Sequence, residues 1–342
     1  MRGNGCVISD DWTYKGMRVV FLENALLRVG ILVDRGSDIF EFHYKPLDVD
    51  PLLRLPKGIV NPMTNFSQMR DTENQFEDYY YGGWQEILPN SPPFRYRNAS
   101  LGQHGEVSLI PWKYAILKHT QNEVSLKVWA RPLRVSLLIE KTLSLKKDEA
   151  ILHISERLQN EGNTHLDIMW GHHIAFGLPF LEEGATIETN AKSFTAEAAM
   201  PVLRRFISEQ KFDWPIGFDA QGNRVDAHEI PGVKDEQYSE LCYLDGYTQR
   251  SHYTIKSKKY KVGFNLQWDG DLFRYLWLWE ERYATKDFPW WGQCYTVALE
   301  PWTSRWTSEC DRAIGDGQWL RIEAGETIKT SLMASMLNHQ TF

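Results

Sequence analysis

The chain has 342 residues, with 45 acidic against 38 basic side chains, 42% hydrophobic content, and 14 Trp, 15 Tyr and 16 Phe. A net charge of −7 argues against the clustered basic surface that a phosphate backbone requires, so no nucleic acid partner is expected. Charged residues at 24%, set among so many aromatics, exclude a disordered chain.

The longest apolar stretches, such as residues 26–33, are interrupted by Arg28 and fall short of the roughly 20 residues that a bilayer span needs. Residues 1–11 carry Arg2, Asp10 and Asp11 and lack the apolar core of a signal peptide. A cytoplasmic protein with no membrane partner is expected. Cys6, Cys242, Cys294 and Cys310 lie far apart without C-x-x-C spacing, which points to free thiols rather than zinc or disulfides. The sequons Asn65-Phe66-Ser67 and Asn98-Ala99-Ser100 carry meaning only in a secreted chain.

Short β-branched, aromatic and leucine runs, separated by Gly, Asn, Asp and Pro, predict an all-β fold. Residues 18–23, 26–33 and 38–44 open a meander, with turns at Glu23-Asn24 and Asp34-Arg35-Gly36. Strands follow at 107–118, 123–130, 133–145, 150–159 and 166–176, without an intervening helix, which favours antiparallel pairing. Further strands are expected at 251–268, 272–280, 294–300, 319–323 and 327–336, the last two joined as a hairpin by Ala324-Gly325-Glu326. Alternating burial on both sides implies two stacked sheets. Residues 52–93 and 195–237 break the pattern and are too long for ordinary loops. Phe66, Phe76, Tyr79, Tyr80, Tyr81 and Trp84 make the first an ordered active-site loop. No linker-like composition or fixed repeat divides the chain, so one domain is expected over 1–342.

Four constellations could carry chemistry. His172 and His173 are adjacent in a strand and point to opposite faces unless Gly171 introduces a bulge. Glu300 ends an apolar strand that Pro301 should stop, where a cleft can desolvate the carboxyl and tune it for general-base duty. His104 sits between Gly102 and Gly105, whose backbone freedom would admit a ligand closely. Trp84, Asn90, Trp277 and Trp279 offer aromatic faces and an amide, which suit the apolar face and hydroxyl rim of a sugar.

Taken in order, these motifs resemble the aldose 1-epimerase (galactose mutarotase-like) superfamily, over most of the chain and as a divergent, tryptophan-rich branch. Residues 22–36 look like its first strands, His104-Gly105 like its His-Gly motif, His173-Ile-Ala-Phe176 like its His-x-x-Phe motif and Leu299-Glu300-Pro301 like its Glu-Pro strand end. The resemblance implies a β-supersandwich of large antiparallel sheets whose groove binds a monosaccharide or sugar derivative. His173 would be the general acid, Glu300 the general base, and His104 and His172 would contact the sugar. It also implies a further aspartate, for which Asp245 is the candidate. Glu106 stands where the better-known galactose enzymes have arginine, so the sugar is not specified.

The expected activity is anomer exchange through acid/base ring opening, with no cofactor and no metal. The alternative is a carbohydrate-binding or sugar-sensing protein without turnover. A two-histidine, one-carboxylate metal site built from His104, His173 and Glu300 is a third possibility. Arg95, Arg97, Arg204 and Arg205 lie in or beside the long segments and could meet an anionic sugar. The sequence leaves the oligomeric state open, a homodimer included.

Overall fold

The computed structural model describes residues 5–64, 73–198 and 203–338. Phe66 and the Asn65-Phe66-Ser67 sequon lie outside the described residues. Two large sheets face each other. The first runs, strand by strand across its width, Val7–Tyr14, Met17–Glu23, Leu27–Leu32, Asp38–Tyr44, Trp84–Ile87, Gly171–Phe176, Tyr295–Trp302, Tyr275–Arg282, Ser239–Asp245, Ser193–Ala196 and Lys211–Asp213. The second runs Glu229–Ile230, Ala185–Thr189, Ser251–Ser257, Val262–Trp268, Thr327–Asn338, Ile151–Asn160, Leu137–Lys146, Glu123–Ala130 and Lys113–His119. Neighbouring strands pair antiparallel throughout both.

Side-chain parity explains the packing. Ile151–Asn160 buries every second residue and exposes or half-exposes the rest, as a strand with one face in a core must. Gly171–Phe176 and Tyr295–Trp302 are buried on both faces. Their inner face joins the core between the sheets, with Phe42, Leu143, Ile174, Phe176, Phe264 and Leu299. Their outer face belongs to a second apolar cluster that includes Leu53, Tyr80, Met169, Trp277, Trp302 and Trp319. Residues within 52–64 and 73–82 cover that outer face, held by Leu53 N–H to the Ala175 carbonyl (2.8 Å) and Leu55 N–H to the Tyr81 carbonyl (2.8 Å).

The structure moves several expected boundaries. Residues 107–112 are turn and irregular backbone, because Pro111 interrupts the run, and the strand begins at Lys113. Residues 166–176 split into Leu166–Ile168, paired with Leu320–Ile322, and Gly171–Phe176 in the large sheet. Residues 324–326 do form a turn, but Leu320–Ile322 and Thr327–Asn338 pair with different strands and make no hairpin. Pro301 does not stop its strand. It pairs with Leu276 while Glu300 and Trp302 keep their partners on either side, so one missing donor leaves the ladder intact. Residues 52–93 are not loop throughout, since Trp84–Ile87 is a strand deep within the large sheet. Residues 195–237 contain short hairpins packed on Phe194, Phe206 and Phe212.

A charged group sits in the core between the sheets. Glu86 and His172 are cross-strand partners in one sheet, and Lys141 and Glu156 are cross-strand partners in the other. Lys141 Nζ lies 3.2 Å from Glu86 Oε2, and His172 Nε2 lies 3.2 Å from Glu156 Oε2. Trp170 Nε1–H donates to Glu86 Oε1 at 2.5 Å. Burial opposes ionisation of Glu86, yet His172 and Lys141 hold its carboxyl below the ordinary range. All four free cysteines are buried. Among the described residues no helix is long and apolar enough to cross a membrane.

Truncating one member of a buried ion pair strands its partner's charge, at a cost of about 3–5 kcal/mol. Lys141→Met is therefore expected to lower unfolding free energy by about that amount. Urea denaturation followed by tryptophan fluorescence measures it.

Candidate active site

Gly171↔Trp302 and Ala175↔Ala298 are register partners, so His173 falls opposite Glu300 on the neighbouring strand. Gly171 introduces no bulge. His172 and His173 therefore take opposite faces, as strand parity dictates. His173 Nε2 stands 3.5 Å from Glu300 Oε1. The next strand sets Trp277 opposite Glu300 and Trp279 opposite Ala298, which brings both indoles to the same outer face.

These residues line a cavity of about 150 Å³, together with Phe76, Glu77, Tyr80, Ser91, Gln103, His104, Leu241, Trp290 and Trp306. Trp302 lies beneath it. Its Nε1–H donates to Glu300 Oε2 at 3.0 Å, and its ring stacks on Trp277 with centroids 4.3 Å apart. Gly171 makes room for that indole, since a Cβ there would sit 2.2 Å from the Trp302 ring. His104 enters from the opposite wall on a left-handed turn, with φ of +60° at His104 and +65° at Gly105. Its N–H donates to the Ser91 carbonyl at 2.8 Å, and Nδ1 lies 3.1 Å from Ser91 Oγ. Gly105 serves backbone packing rather than ligand access: a Cβ there would lie 2.2 Å from the Leu88 carbonyl oxygen.

Burial sets the protonation of the pair. It pushes the Glu300 carboxyl up to about 8, against the pull of the Trp302 hydrogen bond, and the His173 imidazole down to about 3. His104 is held well below its ordinary value by burial and by the neighbouring His173. Near neutral pH the Glu300 and His173 pair thus carries one titratable proton, resting on the carboxyl. Burial also raises Glu77 at the rim.

The family profile described as Domain of unknown function (DUF4432) matches residues 14–336. The chain belongs to this family. No curated protein matches the sequence. This DUF4432 member has the galactose mutarotase-like fold. A candidate aldose 1-epimerase from Klebsiella pneumoniae superposes with a TM-score of 0.74 at 14% identity, over 97% of this chain and 83% of that one. A galactose mutarotase-like protein from Clostridium acetobutylicum superposes with a TM-score of 0.66 at 15% identity, over 98% and 100%. A galactose mutarotase related enzyme from Lactobacillus acidophilus gives 0.62 at 12% identity, over 94% and 98%.

Of the candidates read from the sequence of this DUF4432 chain, His104, His173, Trp277, Trp279 and Glu300 converge on the cavity. Four do not. His172 and Trp84 face the core between the sheets, where Trp84 Nε1–H donates to His172 Nδ1 at 3.2 Å. Asn90 is buried and donates from Nδ2 to the Pro92 and Gly102 carbonyls, so it braces the His104 turn from behind. Asp245 shares strand parity with Leu241 but lies four residues along, about 13 Å at a strand's rise. It pairs there with Lys211 at 2.9 Å.

The metal alternative finds no support in the donors. Among the described residues, the grouping of three within 4.8 Å is Glu86, Glu156 and His172, not His104, His173 and Glu300. That core group already holds the Lys141 ammonium. The loop arginines are engaged elsewhere: Arg205 with Glu280 at 3.0 Å, Arg97 with the His165 carbonyl, Arg204 with the Ala198 carbonyl and Arg95 beside Asn98. Residues that sequence reasoning missed include Gln103, Trp290, Trp306 and Trp302. Trp302 was legible in principle, because it shares the parity of Glu300 once the strand is allowed to run through Pro301.

The Trp302 hydrogen bond favours the charged carboxylate. Trp302→Phe removes it and keeps a ring, so the Glu300 carboxyl should titrate above its wild-type value. An infrared pH titration of the carboxyl band, differenced against Glu300→Gln, measures the shift.

Proposed function

We propose that the protein interconverts the anomers of an uncharged monosaccharide. The observation that carries this reading is the His173 and Glu300 pair, 3.5 Å apart across one strand ladder at the floor of an aromatic cavity. Ring opening of a cyclic sugar requires proton removal from the anomeric hydroxyl and proton delivery to the ring oxygen. One group on the pair must hold a proton and the other must be free to take one. That is the inventory of the pair between the two values burial gives it, about 3 and about 8.

Rotation about C1–C2 and reclosure then exchange the anomers, with the two groups returning to their starting protonation. The resemblance assigns Glu300 as base and His173 as acid. Burial places the proton on Glu300. Both assignments use one proton on two sites, so a pH profile reports the pair rather than either residue.

The walls fit the substrate class. Trp277, Trp279, Trp290 and Tyr80 present ring faces and edges to an apolar C–H surface, while Gln103, Ser91, His104 and Glu77 supply polar contacts. A cavity of about 150 Å³ is small beside the ~300–1,000 Å³ of drug-sized clefts, which favours a single sugar ring. Among the described lining residues there is no Lys or Arg, and two are carboxylic acids. A phosphate brings about −1.5 to −2 charges at neutral pH and would be desolvated without a cation.

Anomer exchange measured by NMR or polarimetry across a sugar panel tests the proposal. His173→Ala and Glu300→Gln should each lower the enzymatic rate by about 10²–10⁴-fold, with phosphorylated sugars poorer than their neutral parents. The wild-type rate should fall above about pH 8, where Glu300 loses the proton the pair requires. Unaltered rates in both variants would defeat the assignment. Saturable sugar binding without exchange would instead identify a carbohydrate-binding protein.

A further inference from the structure

The strand ladders carry a polar row beyond the pair. The register Ile39↔Trp84 brings Asp38 beside Gln85, and Gln85 is itself the cross-strand partner of His173. Asp38, Gln85, His173 and Glu300 thus follow one another across four adjacent strands, all buried.

The hydrogen bonds fix which way the Gln85 amide faces. Its Nε2 donates to the Gly82 carbonyl at 2.7 Å and to Asp38 Oδ2 at 3.3 Å. Both are acceptors, so Nε2 must be the nitrogen and Oε1 the free acceptor. Gln85 Oε1 and His173 Nδ1 are both buried with no direct hydrogen-bond partner among the described residues, as is the Tyr81 hydroxyl, which lies beside Asp38 and Gln85. Left alone, each loses its hydration with no hydrogen bond to replace it. Gln85 Oε1 is an acceptor, His173 Nδ1 can carry a proton, and they belong to residues directly opposite each other, whose Cβ atoms in such a pair stand about 4.5–5.5 Å apart.

We propose that Gln85 Oε1 accepts the Nδ1–H of His173 through one bridging water and thereby fixes the histidine tautomer with Nε2 unprotonated toward Glu300. Gln85 is then a positioning residue, acting through His173, and Asp38 anchors its amide. Burial keeps His173 uncharged through the neutral range, so the tautomer decides which nitrogen can take a proton. Asp38 is itself faced by Arg35, whose Nε lies 3.9 Å from Oδ2, by Tyr81 beneath the Arg35 guanidinium, and by the charge of Lys141 from the opposite sheet. The inference rests on reading His173 and Glu300 as the acid/base pair.

Histidine-¹⁵N labelling with long-range ¹H–¹⁵N correlation reads the tautomer without substrate, the His173 signals being assigned by their loss in His173→Ala. Wild-type His173 should show a protonated Nδ1 and a bare Nε2. Gln85→Leu, or Gln85→Met if the shorter chain fails to fold, should move the proton toward Nε2 and lower kcat about tenfold or more with little change in KM. Gln85→Glu, which keeps an acceptor, should retain the wild-type tautomer; a merely structural role would not depend on the acceptor. A wild-type Nε2–H tautomer, or an unchanged tautomer in the apolar variants, would overturn the proposal. Absence of anomer exchange in the wild type would defeat the functional reading and leave the tautomer result standing.

Discussion

The register of Gly171–Phe176 against its two neighbours is the constraint on which the rest depends. Strand side chains alternate with a period of two, so a slip of one residue would exchange every side chain between the two faces. In the observed register His172 enters the core between the sheets and meets Glu156, while His173 faces outward and meets Glu300. The core charges and the pocket pair are two sides of one strand. Glu86 and His172 pin the inner face, and this holds Gln85 and His173 in place on the outer one.

The second requirement is a dry outer face. A sheet packed against its partner on one side ordinarily turns the other toward water. Here residues within 52–64 and 73–82, with Trp290, Trp306 and Trp319 from segments outside the sheet, close over it, and the central strands are buried on both sides. Desolvation then acts in opposite directions on the two members of the pair. It raises the carboxyl and lowers the imidazole, leaving one proton between two nearly uncharged groups. Under the proposed function, the same aromatic side chains that exclude water are the surface a sugar ring would lie against. Pocket shape and pocket electrostatics share a single cause.

Much of this was legible in the sequence, and parity was the reason. Adjacent His172 and His173 had to face opposite ways, and Trp277 and Trp279 had to share a face; both hold. The strand Asp38–Tyr44 was read with its observed bounds. What failed were inferences that treated proximity in sequence as proximity in the site. Trp84 and Asn90 lie in the chain between the lining residues Tyr80 and Ser91, yet one turns inward by parity and the other spends its amide on two backbone carbonyls. Pro301 misled because a missing N–H was taken to end a strand that its neighbours sustain. Gln103, Trp290 and Trp306 come from covering segments without regular periodicity, where no sequence rule fixes direction. Asp245 lay on the correct face but too far along its strand.

A crystal structure of the protein soaked with a neutral monosaccharide tests the central claim most directly. The account predicts one sugar ring against Trp279 and Trp290, its anomeric hydroxyl and ring oxygen within hydrogen-bond reach of the His173 and Glu300 side chains. A sugar bound with C1 turned away from both groups, or bound only elsewhere on the molecule, would contradict it.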